Sequence, residues 1–209
     1  MNSEKFVLAS MKASFDELRG LIRLIDFSEN NRDIEQSKHL PAELSSYVAN
    51  FLTVKRCDHS EAEAVAASSM DSMFKLERCM VDDQDSWWLS GFGSMPRGRG
   101  DEYVEVRLSK TNSLRRVQSV SMSIPPLPVG PLSVREFRLE VANQQGDWTQ
   151  LPFEFQVQNE SGMQRFPIGN VDATSIRVVC LSNQISPFLD SMESPNDMER
   201  VGFYAIKFE

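Results

Sequence analysis

Val65-Ala66-Ala67-Ser68-Ser69, then Val81-Asp82-Asp83-Gln84-Asp85-Ser86-Trp87-Trp88, then Glu102-Tyr103-Val104-Glu105-Val106-Arg107-Leu108: along this stretch the fold of the 209-residue chain is decided. Val104, Val106 and Leu108 alternate with Glu105 and Arg107, the two-residue period of a strand with one dry and one wet face. The period returns at Val120, Met122 and Ile124, at Phe137, Leu139 and Val141, and at Phe153, Phe155 and Val157. It returns again at Ile176, Val178 and Cys180, and at Tyr204, Ile206 and Phe208. Breakers stand between the runs: Pro125-Pro126-Leu127-Pro128, Gln145-Gly146-Asp147, Ser161-Gly162, Pro167 with Gly169, and Pro195-Asn196-Asp197. Short alternating strands between such turns predict a mainly β chain, an antiparallel β-sandwich.

Upstream of Val65 the period is helical. Leu8, Met11, Phe15, Leu18, Ile22 and Ile25 form one apolar stripe, with Ser3 as N-cap. Pro41 suits the first position of a second helix, which carries Leu40, Leu44, Tyr47, Val48, Phe51 and Leu52. Residues 57–64 read as a linker or a further short turn. The expected organisation is an α-helical hairpin and linker over 1–62, then the sandwich over 63–209.

Hydrophobic content of 41% is enough for a core of ordinary size. A formal charge of −8 argues against sequence-independent nucleic-acid binding and against adsorption to an anionic membrane. No run is long and apolar enough to span a bilayer, and the first residues lack a signal-peptide core. Cys57, Cys79 and Cys180 are an odd set without CxxC spacing. That suits reduced thiols, so a cytoplasmic or nuclear home is expected.

The order of the opening stretch resembles the discoidin, or factor 5/8 C-type, branch of the galactose-binding-like jelly-roll sandwiches. Phe137-Arg138-Leu139-Glu140-Val141 with Gln145-Gly146-Asp147-Trp148-Thr149 resembles that family's strand-turn-Trp element. Ser175-Ile176-Arg177-Val178-Val179 is similar to its penultimate strand, and Gly202-Phe203-Tyr204-Ala205-Ile206-Lys207-Phe208 to its closing strand, which returns beside the first. The resemblance implies a binding module without catalysis or cofactor, with its ligand on loops at one end of the sandwich. Its intracellular members, among them ubiquitin-ligase DOC domains and muskelin-type domains, bind proteins. Secreted relatives bind glycans or lipid head groups. The leading expectation is therefore an adaptor with a protein partner in a multisubunit, ubiquitin-ligase-type complex. The alternative is a lectin-type domain with a glycan ligand.

Five residues are candidates for that site: Trp87, Arg97, Arg99, Asp101 and Trp148. Trp87 and Trp88 are adjacent, so on a strand one faces the core and the other the rim. Met95-Pro96-Arg97-Gly98-Arg99-Gly100-Asp101 is a basic, glycine-flanked loop in an acidic chain, suited to carboxylate or phosphate recognition. Arg115 and Arg116 either extend that patch or balance local acids. Asp82, Asp83 and Asp85 are too few for a dedicated calcium site, so no metal is expected. His39 and His59 have neither metal-ligand spacing nor a nucleophile beside them, and Gly91-Phe92-Gly93-Ser94 is neither a nucleophile elbow nor a phosphate loop. No residue supports an enzyme.

Overall fold

The computed structural model describes residues 54–81, 87–189 and 198–209. The chain divides into compact units at Met1–Phe51 and Leu52–Glu209. Up to residue 53 the expected helical hairpin lies outside the described residues. The second unit opens with a two-residue strand, β1 (Lys55–Arg56), and one 3-10 turn at His59–Glu61, capped by Asp58.

Two sheets face each other. The larger is built from β2 (Glu63–Ala67), β4 (Arg99–Arg107), β6 (Val134–Ala142), β7 (Trp148–Gln156) and β9 (Ser175–Asn183), in the order β2-β4-β9-β6-β7 with antiparallel pairs throughout. The smaller centres on β5 (Arg115–Ser123), which β8 (Met163–Ala173) follows along its whole length. A strand has two edges, so β1 and β11 (Ala205–Phe208) must share the other one end to end. β1 pairs at Arg115 and Arg116, and β11 pairs from Val120 to Ser123. The closing strand thus pairs with β5 and does not lie, as the resemblance implied, beside the strand at Val65, which lies in the other sheet. A third small ladder joins β3 (Trp88–Leu89) to β10 (Gly202–Phe203).

The alternating residues become the core: Val104, Val106, Phe137, Leu139, Ile176 and Val178 from the large sheet meet Val120, Met122, Ile206 and Phe208 from the small one. Phe137 is stacked on Phe155 at 5.1 Å and meets the edge of Phe166 at 5.0 Å, tying β6, β7 and β8 together. A buried ring of this size is worth about 1.5–3 kcal/mol over an exposed one.

One strand was not legible. Pro167 and Gly169 read as a break, yet β8 runs through both as an eleven-residue strand. Among the described residues it pairs with β5 and no other strand, so a missing amide hydrogen bond is tolerated. The register slips between Val117↔Val171 and Ser119↔Pro167, and Gly169, at φ 80°, lies within that slip. Arg115 and Arg116 do not extend a basic patch. They are buried, Arg115 on Glu61 at 2.6 Å and Arg116 in a two-pronged pair with Asp172 at 2.8 Å.

Candidate binding site at the loop end

Strand register fixes which residues share an end of the sandwich. Arg107, Ser175, Ala142 and Trp148 line up at one end; Arg99, Ser182 and Glu136, with Gln156, line up at the other. From Ser175 to Ser182 along β9 is about 23 Å at 3.3 Å per residue. The second end carries the described parts of the long connections, 68–81, 90–98, 124–133, 184–189 and 198–201, and is the loop end.

Four of the five candidates lie there. Trp148 does not: it stands at the opposite end, its ring 3.9 Å beneath the Arg177 guanidinium. Arg177 also covers Tyr103 at 4.7 Å and bonds Glu105 at 3.0 Å, so Trp148 belongs to a cross-strand ladder on the outer face of the large sheet. The adjacent tryptophans split as strand geometry requires. Trp88 is fully buried against Phe203 at 5.3 Å, while Trp87 is half-buried between Phe74 at 5.1 Å and Tyr204 at 6.0 Å. Asp101 is exposed and accepts from Arg138 at 2.7 Å. Arg97 and Arg99 are exposed, Arg97 in the 3-10 turn Pro96–Gly98 and Arg99 opening β4. Asp82, Asp83 and Asp85 fall outside the described residues, and among the described residues no group of three or more His, Cys, Asp or Glu could hold a metal ion.

The residues that organise this end were not among the candidates. Arg200, 6% exposed, reaches back from the segment before β10. Its Nη2 bonds Asp71 Oδ2 at 2.5 Å and its Nε donates to the Ser90 carbonyl at 3.0 Å. Asp71 also accepts the Met73 amide at 2.8 Å. That bond and the Arg200 guanidinium hold its carboxyl below the usual aspartate range against the opposing effect of burial. Ser90 Oγ takes the Val201 amide at 2.9 Å, and Ser69 Oγ takes the Gly91 amide at 2.9 Å. Three loops are thereby fixed to one another by buried and part-buried polar bonds.

On this base lies Phe92. The guanidinium carbon of Arg200 sits 3.9 Å from its ring centroid, yet the residue is 71% exposed. One face of the ring is backed by a buried cation and the rest is open to solvent. Gly93, at φ 68°, has nothing within 4 Å of the place a side chain would fill. Glu199, next to Arg200, accepts the Arg97 amide at 3.0 Å, and its carbonyl accepts the Met95 amide at 3.1 Å. Phe92 and Arg97 are therefore bridged by two consecutive residues. A lone aromatic between glycines in a loop between strands was the visible signal. What was not visible is Arg200, which is remote in sequence.

No protein-family model matches the sequence, and no curated protein matches it. Solved structures do. A family 32 carbohydrate-binding module from Clostridium perfringens in complex with galactose superposes with a TM-score of 0.54 at 15% identity, over 74% of this chain and 97% of that one. A second C. perfringens module, in complex with GalNAc-β-1,3-galactose, gives 0.55 at 8% identity over 73% and 97%. An F5/8 type C domain from Bacteroides fragilis gives 0.52 at 14% over 74% and 94%. The fold is the galactose-binding-like β-sandwich. At these identities the likeness is one of architecture alone, and a role for the loop end has to come from its own residues.

Proposed function

We propose that the sandwich is a non-catalytic carbohydrate-binding module and that its loop end, centred on Phe92, holds the sugar. The observation that carries this is the Phe92 ring, held flat from below by buried Arg200 and open above. A pyranose offers an apolar C–H face and a rim of hydroxyls, and it needs an immobilised aromatic face with polar groups beside it. Ser94, Glu199, Arg97 and Arg99 supply those groups on neighbouring segments. The galactose-bound and GalNAc-β-1,3-galactose-bound modules with the same architecture support the same ligand class. Both supports favour a glycan over a protein partner in a ubiquitin-ligase-type complex.

The test is a glycan array with the full chain, followed by calorimetry on the best ligand. Phe92→Ala is expected to leave the fold intact, because the ring is exposed, and to weaken binding by about 1–3 kcal/mol, the scale of one stacked aromatic. Unchanged affinity in Phe92→Ala would remove Phe92 from the site. A blank array together with a protein captured at the loop end would restore the adaptor reading.

A further inference from the structure

We infer that this rim selects an anionic sugar, one bearing a carboxylate or sulfate, through Arg97 and Arg99. The inference rests on the glycan-binding reading above and names the class of its ligand.

Arg97 sits at φ 53° and ψ 33°, in the left-handed region that disfavours side chains with a Cβ. The neighbouring Gly98 is also left-handed, at φ 69°, and is packed so closely that an added Cβ would run into Asn183 and Leu189. One position of the turn thus carries the glycine that its geometry demands. The other carries a long cation at a conformational cost, although glycine would adopt the same backbone freely. Non-glycine residues held in this way concentrate where the side chain is used.

The surroundings fix the strained turn in place. Asn183, fully buried at the end of β9, donates Nδ2 to the Met198 and Arg200 carbonyls at 2.8 Å each. Glu199, between those two residues, accepts the Arg97 amide. The segment that backs Phe92 and the turn that carries Arg97 therefore form one unit. Arg99 comes two residues later, exposed at the start of β4, and no described residue pairs with its guanidinium. Asp101 and Glu102, the acids next in sequence, are engaged elsewhere, by Arg138 and by Ser68 and Ser69. The exposed Arg99 guanidinium, two residues after Arg97 on the unit that backs Phe92, suits a pyranose whose substituent is a planar or tetrahedral oxyanion, because a guanidinium can donate two parallel hydrogen bonds to it.

The test compares matched pairs that differ only in charge. Tetragalacturonate and its methyl ester, and a sulfated chondroitin tetrasaccharide and its desulfated form, are titrated into the full chain by calorimetry at low and high salt. At least one charged member should bind about tenfold or more tightly than its neutral twin, an advantage that shrinks in 0.5 M salt. The pair that shows it says whether carboxylate or sulfate is read. Arg97→Gly and Arg99→Ala should each remove most of that advantage, weakening the charged member more than its neutral twin, and keep Tm within about 4 °C of the parent. If Arg97→Gly does not fold, Arg99→Glu, at an exposed site, carries the comparison alone. Equal affinity within both pairs, with binding still lost in Phe92→Ala, would overturn the inference and leave the glycan reading standing. No binding by any of the four would overturn the inference, and a blank glycan array as well would sink the glycan reading. Octaglutamate binding as tightly as the charged sugars, without dependence on Phe92, would overturn it in favour of an acidic protein segment.

Discussion

Removing the carboxylate of Asp71 should cost the sandwich more than an ordinary surface substitution, because it strands a buried cation. The Asp71 and Arg200 side chains are 10% and 7% exposed, and they join segments far apart in sequence. Asp71→Ala leaves the Arg200 guanidinium with the Ser90 carbonyl and the Phe92 ring, and also abandons the Met73 amide. Stripping one partner from a buried pair costs about 3–5 kcal/mol, and the remaining contacts put this case near the lower figure. For a unit of this size that is a fall in Tm of roughly 6–12 °C. Replacing both partners, Asp71→Leu with Arg200→Met, removes the stranded charge and should recover more than half of the loss. The pH dependence has a definite sign. The folded-state value of Asp71 lies below its ordinary value, so its stabilisation is complete above the unfolded carboxylate's pKa of about 3.9 and is lost as pH falls through the lower folded value. Thermal melts by tryptophan fluorescence from pH 7 down to pH 3 would therefore show the gap between parent and Asp71→Asn closing only below about pH 4. A Tm for Asp71→Ala within about 2 °C of the parent at pH 7 would refute the reasoning, since it would mean that solvent already reaches the pair.

The core and its thiols carry two more expected outcomes. Trp88→Ala empties a fully buried site against Phe203 and should cost about 3–5 kcal/mol by urea denaturation; a loss under about 1 kcal/mol would mean that the site refills with water or neighbours. Burial pushes the Cys57 thiol up to about 11 and the Cys79 thiol up to about 12, and raises Cys180 further. At pH 8 roughly one Cys57 in a thousand is then thiolate, so native protein should react with a thiol reagent far more slowly than urea-unfolded protein, with Cys57 first among these three; rates equal to the unfolded chain would contradict the burial.

The sandwich was legible because strand alternation is a local property. Val104, Val106 and Leu108 declare their face whatever the rest of the chain does, and the breakers around Gly146 and Gly162 mark real turns. β8 was lost because proline and glycine are punctuation only in a strand bonded on both sides. Whether a strand is an edge is decided by its neighbours, not by its residues. The site divides along the same line. Arg97, Arg99 and Asp101 could be read as an exposed basic loop from their glycines and charges, and the Trp87–Trp88 split came from pleat geometry alone.

Trp148 was drawn into the candidate site because a resemblance assigns loops to an end only once the register is known; here the register puts it about 23 Å along the strands from the level of Arg99, beneath Arg177. Sequence alone set the alternation, the acidity and the exposed arginines. Tertiary structure alone brought Arg200 under Phe92 and Glu199 against Arg97, since contacts between residues a hundred positions apart leave no periodic trace in the chain. They exist because buried polar groups must find partners wherever the fold delivers them.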